Sequence, residues 1–167
     1  WIAAQNDDLP DIESMATFFN NPPPLAPCLI EGVLRRGHKM LVSGPSKAGK
    51  SALLHELSVA IAEGLKWLGW QCHQGRVLYV NLELDSASCD HRIINAYKAM
   101  GIDKPHVDNI DVWHLRGQSM GFDLLTPKLI RRALKKNYAA IIIDPIYKVI
   151  TGDENAADQM SKFCNLF

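Results

Sequence analysis

The sequence predicts an α/β fold built on a mostly parallel sheet, and three observations predict it. Short apolar runs alternate along the chain with segments of helical periodicity. A glycine-bearing stretch of the form G-x-x-x-x-G-K-S, Gly44 to Ser51, stands between one such run and one such helix. A continuous apolar run, Ala139 to Asp144, ends in an acid, as suits a strand covered on both faces of a parallel sheet.

In chain order, residues 1–27 read as a lead-in. They are polar and acidic at first, with a short helix expected around Asp11 to Phe19. Pro22, Pro23, Pro24 and Pro27 then impose an extended backbone poor in donors. The domain proper is expected over 28–167. Met40 to Ser43 predicts a first strand, and Ser51 to Trp67 a helix with Leu54, Leu57, Ile61, Leu65 and Leu68 at helical spacing. Val77 to Leu82, rich in β-formers, predicts a second strand, followed after Ser86 by a helix carrying Ile93, Ile94, Tyr97 and Met100 on one face. Ile110 to Leu115 predicts a third. Thr126 before Pro127 predicts a helix start, since threonine caps free amides and proline fits the first turn. Leu129, Ile130, Ala133 and Leu134 should then face inward. After the run ending at Asp144, Met160, Phe163, Cys164 and Phe167 predict a last helix.

Composition narrows the class. A chain of 167 residues, 47% hydrophobic and 22% charged, suits one globular domain and excludes disordered, collagenous and membrane proteins. No apolar run approaches a membrane span and Trp1 to Asp8 lacks the features of a signal peptide, so a cytoplasmic protein is expected. Cys28, Cys72, Cys89 and Cys164 form no C-x-x-C pair and are expected as reduced thiols. The pairs Cys72 with His73 and Cys89 with His91 are too sparse for a metal site. Eighteen basic side chains balance eighteen acidic ones, so any nucleic-acid contact must be local. One local candidate is the basic stripe Lys128, Arg131, Arg132, Lys135 and Lys136, although such stripes are usually solvated helix faces. A start at Trp1 without methionine and an end at Phe167 within a helical pattern predict a fragment of something larger.

The glycine-bearing stretch carries the sharpest chemistry. Gly44, Pro45, Ser46, Lys47, Ala48, Gly49, Lys50 and Ser51, with Ala52 behind them, are the expected nucleotide contacts. Glycines let the backbone curl until successive amides point at phosphate oxygens, and the helix that follows adds the partial positive charge of its N-terminus. Lys50 would reach the β and γ phosphates and Ser51 would ligate Mg²⁺. Asp144 is the natural second half of the metal site, holding the magnesium through water. Pro145 follows it and is no base, so the general base must come from elsewhere. Glu83, at the end of the second strand and so at the sheet edge where ligands bind, is the candidate, with Asp85 a weaker substitute.

Four stretches together resemble a known group: Pro22 to Gly32, G-P-S-K-A-G-K-S at 44–51, G-R-V-L-Y-V-N-L-E at 75–83, and I-I-I-D-P at 141–145. They look like the RepA-like branch of RecA-fold P-loop ATPases, which includes hexameric plasmid and phage replicative helicases. The resemblance implies a three-layer RecA-like domain and Mg-ATP hydrolysis with Glu83 as catalytic base and Lys50 assisting. It also implies single-stranded DNA as partner and a homo-oligomeric ring. Arg92 matches a position where relatives often carry arginine. Lys47 departs from the family, which has a small residue there. In folds of this class the strand after the Walker B acid lies between the phosphate-loop strand and the Walker B strand. With the C-terminal strands and the arginine finger missing from this chain, a gap is expected between Ser43 and Asp144. Two other readings stay open: an ATP-dependent regulatory or binding module without unwinding activity, and a small-molecule kinase, for which no acceptor pocket or lid is found.

Overall fold

The structure is a computed structural model, and it describes residues 10–118 and 121–148. Its elements, in order, are α1 (Met15–Phe18), β1 (Cys28–Ile30), β2 (Leu34–Arg35), α2 (Lys50–Glu63), β3 (Lys66–Trp67), β4 (Trp70–Gln71), β5 (Val77–Asn81), α3 (Ser86–Ala99), β6 (Ile110–His114), α4 (Phe122–Ala133) and β7 (Ala140–Asp144). Short 3-10 turns at Val107–Asn109 and Ile146–Lys148 complete it. The expected final helix at Met160 to Phe167, with Cys164, lies outside the described residues. No helix among the described residues is long and apolar enough to cross a membrane.

The central sheet is parallel, in the order β6-β5-β7. Its middle strand, apolar up to Asn81, is buried at every position because it is paired on both sides and covered on both faces. The period of two sorts its side chains. Val77 and Tyr79 face a core shared with Leu57 and Ile61 of α2 and with Cys89, Ile93 and Ala96 of α3. Leu78 and Val80 face a second core with Leu125 and Leu129 of α4. The result is helix, sheet, helix, the three-layer α/β arrangement expected. Burial begins at Leu29 and Ile30, where β1 and β2 pair antiparallel and join the larger core. A Cβ on Gly75 would overlap that of Ala139, so glycine is what lets the chain enter β5 beside the start of β7.

Several expected boundaries are corrected. Met40 to Ser43 forms no strand: the segment pairs with none of the described strands, and a strand is defined by its ladder. Among the described residues β7 pairs with β5 and not with this segment. Helix α2 ends at Glu63 rather than Trp67, because Gly64 adopts the left-handed conformation and its amide closes the helix on Ala60 and Ile61. Leu65 and Leu68 are therefore off the helix, and Trp67 and Trp70 pair across a hairpin. In α3, Ile94 is exposed, while Cys89, Ile93 and Ala96 are buried and Tyr97 and Met100 pack, partly buried, against the same core. Helix α4 starts at Phe122, with Gly121 at its N-cap, so Thr126 and Pro127 lie inside it. Its inward residues are Leu125 and Leu129, while Ile130 and Leu134 are exposed.

Candidate functional site

The loop before α2 has the backbone its sequence implies. Gly49 holds φ at 83° and Lys47 at 62°, so two left-handed residues turn the chain sharply into the helix. For lysine this conformation costs about 1 kcal/mol, an expense more common at functional loops than elsewhere. It is the structural side of the departure at Lys47. The ammonium of Lys50 donates to the carbonyls of Gly44 at 2.9 Å and Pro45 at 2.8 Å, folding the side chain over its own loop.

A cavity of about 1240 Å³ opens between this loop, the 40–43 segment and β7. Lys50 and Ser51, Glu83 and Arg92, and Asp144 all line it. In sequence these residues run from position 50 to position 144, and the fold brings them to one hollow. Gly44, Ser46, Lys47, Ala48, Gly49 and Ala52 line it with them, whereas Pro45 does not. The donor set at its floor, a serine hydroxyl and a carboxylate, is the hard oxygen pair that Mg²⁺ favours, and the loop's amides and lysine suit phosphate. The residues present therefore fit a magnesium nucleotide.

The two acids differ in setting. Asp144 is buried, 8% exposed, and accepts a hydrogen bond from the Tyr79 hydroxyl at 2.6 Å. Burial, reinforced by that carboxylate, pushes the tyrosine's pKa strongly upward, so the phenol keeps its proton and acts as donor. Glu83 is exposed, and accepts from the Tyr147 hydroxyl at 2.9 Å. Asp85 does other work. Its carboxylate caps α3 by accepting from the Ser88 amide at 2.9 Å, and the Ser88 hydroxyl first, then that amide, hold its pKa down.

Two neighbours escaped the sequence reading. Asn81, fully buried at the end of β5, builds the turn that carries Glu83: its side-chain oxygen accepts from the amides of Glu83 and Leu84, and its nitrogen donates to the Leu84 carbonyl. An asparagine closing an apolar strand was the available signal. His55 stacks on Tyr79 with ring centroids 4.9 Å apart, and among the described residues neither ring nitrogen has a hydrogen-bond partner. Burial lowers its pKa, leaving a neutral ring. A helical apolar face gave no hint of it.

The metal pairs considered from sequence are not what assembles. Among the described residues the group that comes together is Cys89, Asp90 and His114. There His114 already meets Asp90 at 3.2 Å and Asn81 at 3.1 Å, and burial raises the Cys89 thiol to about 11, away from the thiolate a metal needs. Within the basic stripe, Arg132 lies 4.4 Å over the Trp113 ring and Lys136 pairs with Asp111 at 2.7 Å. Lys128, Arg131 and Lys135 are exposed.

Compared with known families, the chain matches the AAA domain over residues 7–166. None of the curated proteins compared with it matches.

Proposed function

Since the chain belongs to the AAA-domain family of P-loop ATPases, we propose that it is the RecA-like motor domain of a RepA-type replicative helicase or DNA-dependent ATPase. In this reading it binds and hydrolyses Mg-ATP, works as a homo-oligomeric ring and acts on single-stranded DNA. The observation that carries the proposal is the convergence of Lys50, Ser51, Glu83 and Asp144 on one cavity.

Gly44 to Ala52 cradle the phosphates with the backbone amides of all but Pro45, which has none, and the Lys50 ammonium exchanges its two loop carbonyls for phosphate oxygens. The Ser51 hydroxyl and the Asp144 carboxylate hold Mg²⁺, which when bound neutralises charge on the phosphates. Glu83 orients the attacking water and accepts its proton at the carboxylate. Arg92, at the same cavity, faces the charge that develops there.

The test is ATP turnover of the full-length protein with and without single-stranded DNA, followed by unwinding of a forked duplex. Turnover stimulated by DNA together with unwinding supports the helicase reading. Stimulated turnover without unwinding favours a regulatory module, and absence of nucleotide binding overturns the whole proposal.

A further inference from the structure

We propose that Tyr79 and Tyr147 are positioning residues, each holding the acid carried by the other's strand. The proposal rests on the Mg-ATP reading above and adds to it two side chains that do not belong to the phosphate-binding motif. Strand β5 supplies Tyr79 and, just past its end, Glu83; strand β7 supplies Asp144 and, just past its end, Tyr147. The strands are parallel neighbours in the register Tyr79↔Ile142 and Asn81↔Asp144. Tyr79 therefore reaches two positions along the neighbouring strand to Asp144, and Tyr147 reaches back to Glu83. The two hydrogen bonds cross the same strand pair in opposite senses.

The Tyr79 bond is fixed on all sides. Its ring is 1% exposed, lies between the strand and the helical layer, and stacks on His55 of α2. A phenol so confined can present its O–H in essentially one direction. Donating to one carboxylate oxygen, at 2.6 Å, it sets the rotation of the Asp144 carboxylate and leaves the second oxygen free. No other hydrogen bond to the Asp144 side chain exists among the described residues, so removing the O–H frees the carboxylate to turn. Tyr147 is more exposed, and its bond to Glu83 at 2.9 Å keeps an otherwise solvated base turned toward the cavity that both residues line. One tyrosine thus governs the metal-binding acid and the other the proton acceptor, which predicts separable effects.

Calorimetric titration with a non-hydrolysable ATP analogue, over a range of Mg²⁺ concentrations and in chelator, tests the first half. Tyr79→Phe retains the ring stack. It should bind the analogue in chelator within twofold of wild type, and need at least about tenfold more Mg²⁺ to reach the same affinity. A Mg²⁺ requirement within twofold of wild type overturns it. Tyr147→Phe, at an exposed site where folding is not at stake, should lower kcat about fivefold or more at unchanged KM and unchanged Mg²⁺ dependence. An unchanged kcat overturns the second half, and so does a shift in Mg²⁺ dependence. Should wild type itself fail to bind nucleotide, the Mg-ATP reading falls, and this inference with it. Wild-type binding with indifferent variants removes this inference alone.

Discussion

Lys50 spends its charge on the carbonyls of Gly44 and Pro45, both within its own loop. Neither carbonyl belongs to the core, so removing the amine leaves nothing buried without a partner. Lys50→Ala should then melt within about 2 °C of wild type while losing at least tenfold in ATP affinity, since a charge-assisted phosphate contact is worth about 1.5–3 kcal/mol. Calorimetry beside a thermal melt checks both halves, and affinity within a few-fold of wild type would remove the loop from the site. Glu83 and Asp85 make a sharper contrast. Glu83 lines the cavity with its carboxylate bonded, among the described residues, only to Tyr147, whereas Asp85 is engaged as the cap of α3. Glu83→Gln should bind Mg-ATP normally and hydrolyse it about a hundredfold more slowly. Asp85→Asn keeps a good cap and should turn over within about twofold of wild type. Equal losses in single-turnover measurements would mean that neither residue is the base. The motif residues were legible because each is a residue type demanded by phosphate or metal chemistry at a set spacing. Asn81, Tyr79 and His55 were not, because their roles arise from contacts across strands and layers that no local spacing encodes.

At the scale of elements, strands were read where apolar runs coincide with β-formers, and β5, β6 and β7 match those runs to within about one residue. Errors fall where a second influence competes with periodicity. Leu65 and Leu68 continued the helical spacing of α2, but a single left-handed glycine at Gly64 outweighs two leucines because it redirects the backbone itself. Pro127 looked like a helix start, yet α4 begins at Phe122, and Leu125 before the proline and Leu129 after it both enter the core. Met40 to Ser43 had the composition of a strand without a partner, and ladders are a tertiary property. The outer edge of β6 shows how such a property is secured. Asp111 there accepts from Lys136 at 2.7 Å and Tyr138 at 2.7 Å, with Arg76 at 3.5 Å, tying β6 to the segment that leads into β7. Burial raises the pKa of Asp111, and the hydrogen bonds and positive charges outweigh it, leaving the group below its ordinary value. A carboxyl held low in the fold gives stability that is complete above its unfolded pKa, about 3.9, and that is lost as pH falls through the folded value. Asp111→Asn should therefore destabilise by about 1 kcal/mol at neutral pH, an amount limited by solvent screening. It should also flatten the acid limb of stability below about pH 4. Chemical denaturation from pH 7 to pH 3 reads both, and parallel curves for the two proteins would show that the cluster contributes nothing.

Across the whole molecule the eighteen positive and eighteen negative charges cancel, and the fold spends several of the positive ones internally. Arg132 covers Trp113, Lys136 and Arg76 serve Asp111, and Lys50 is bonded to the carbonyls of the loop before α2. This leaves Lys128 and Arg131 on α4, and Lys135 just past its end, exposed and without ion pairs among the described residues. If single-stranded DNA is the partner, a neutral molecule cannot hold it by bulk attraction, and contact must run through a few such cations. Counterion release then sets the salt dependence. Each phosphate neutralised on a single strand contributes about 0.7 to the slope of log K against log salt, so three cations per chain imply a slope on the order of −2. Changing Lys128, Arg131 and Lys135 together to glutamine should bring that slope near zero and abolish stimulation of ATP turnover by DNA. Basal turnover should remain, because α4 packs on the face of the sheet opposite α2, away from the nucleotide loop. Fluorescence anisotropy with a labelled oligonucleotide from 50 to 300 mM salt measures the slope. A triple variant that keeps both slope and stimulation would move the DNA contact off this helix, to surfaces contributed by other parts of the assembly.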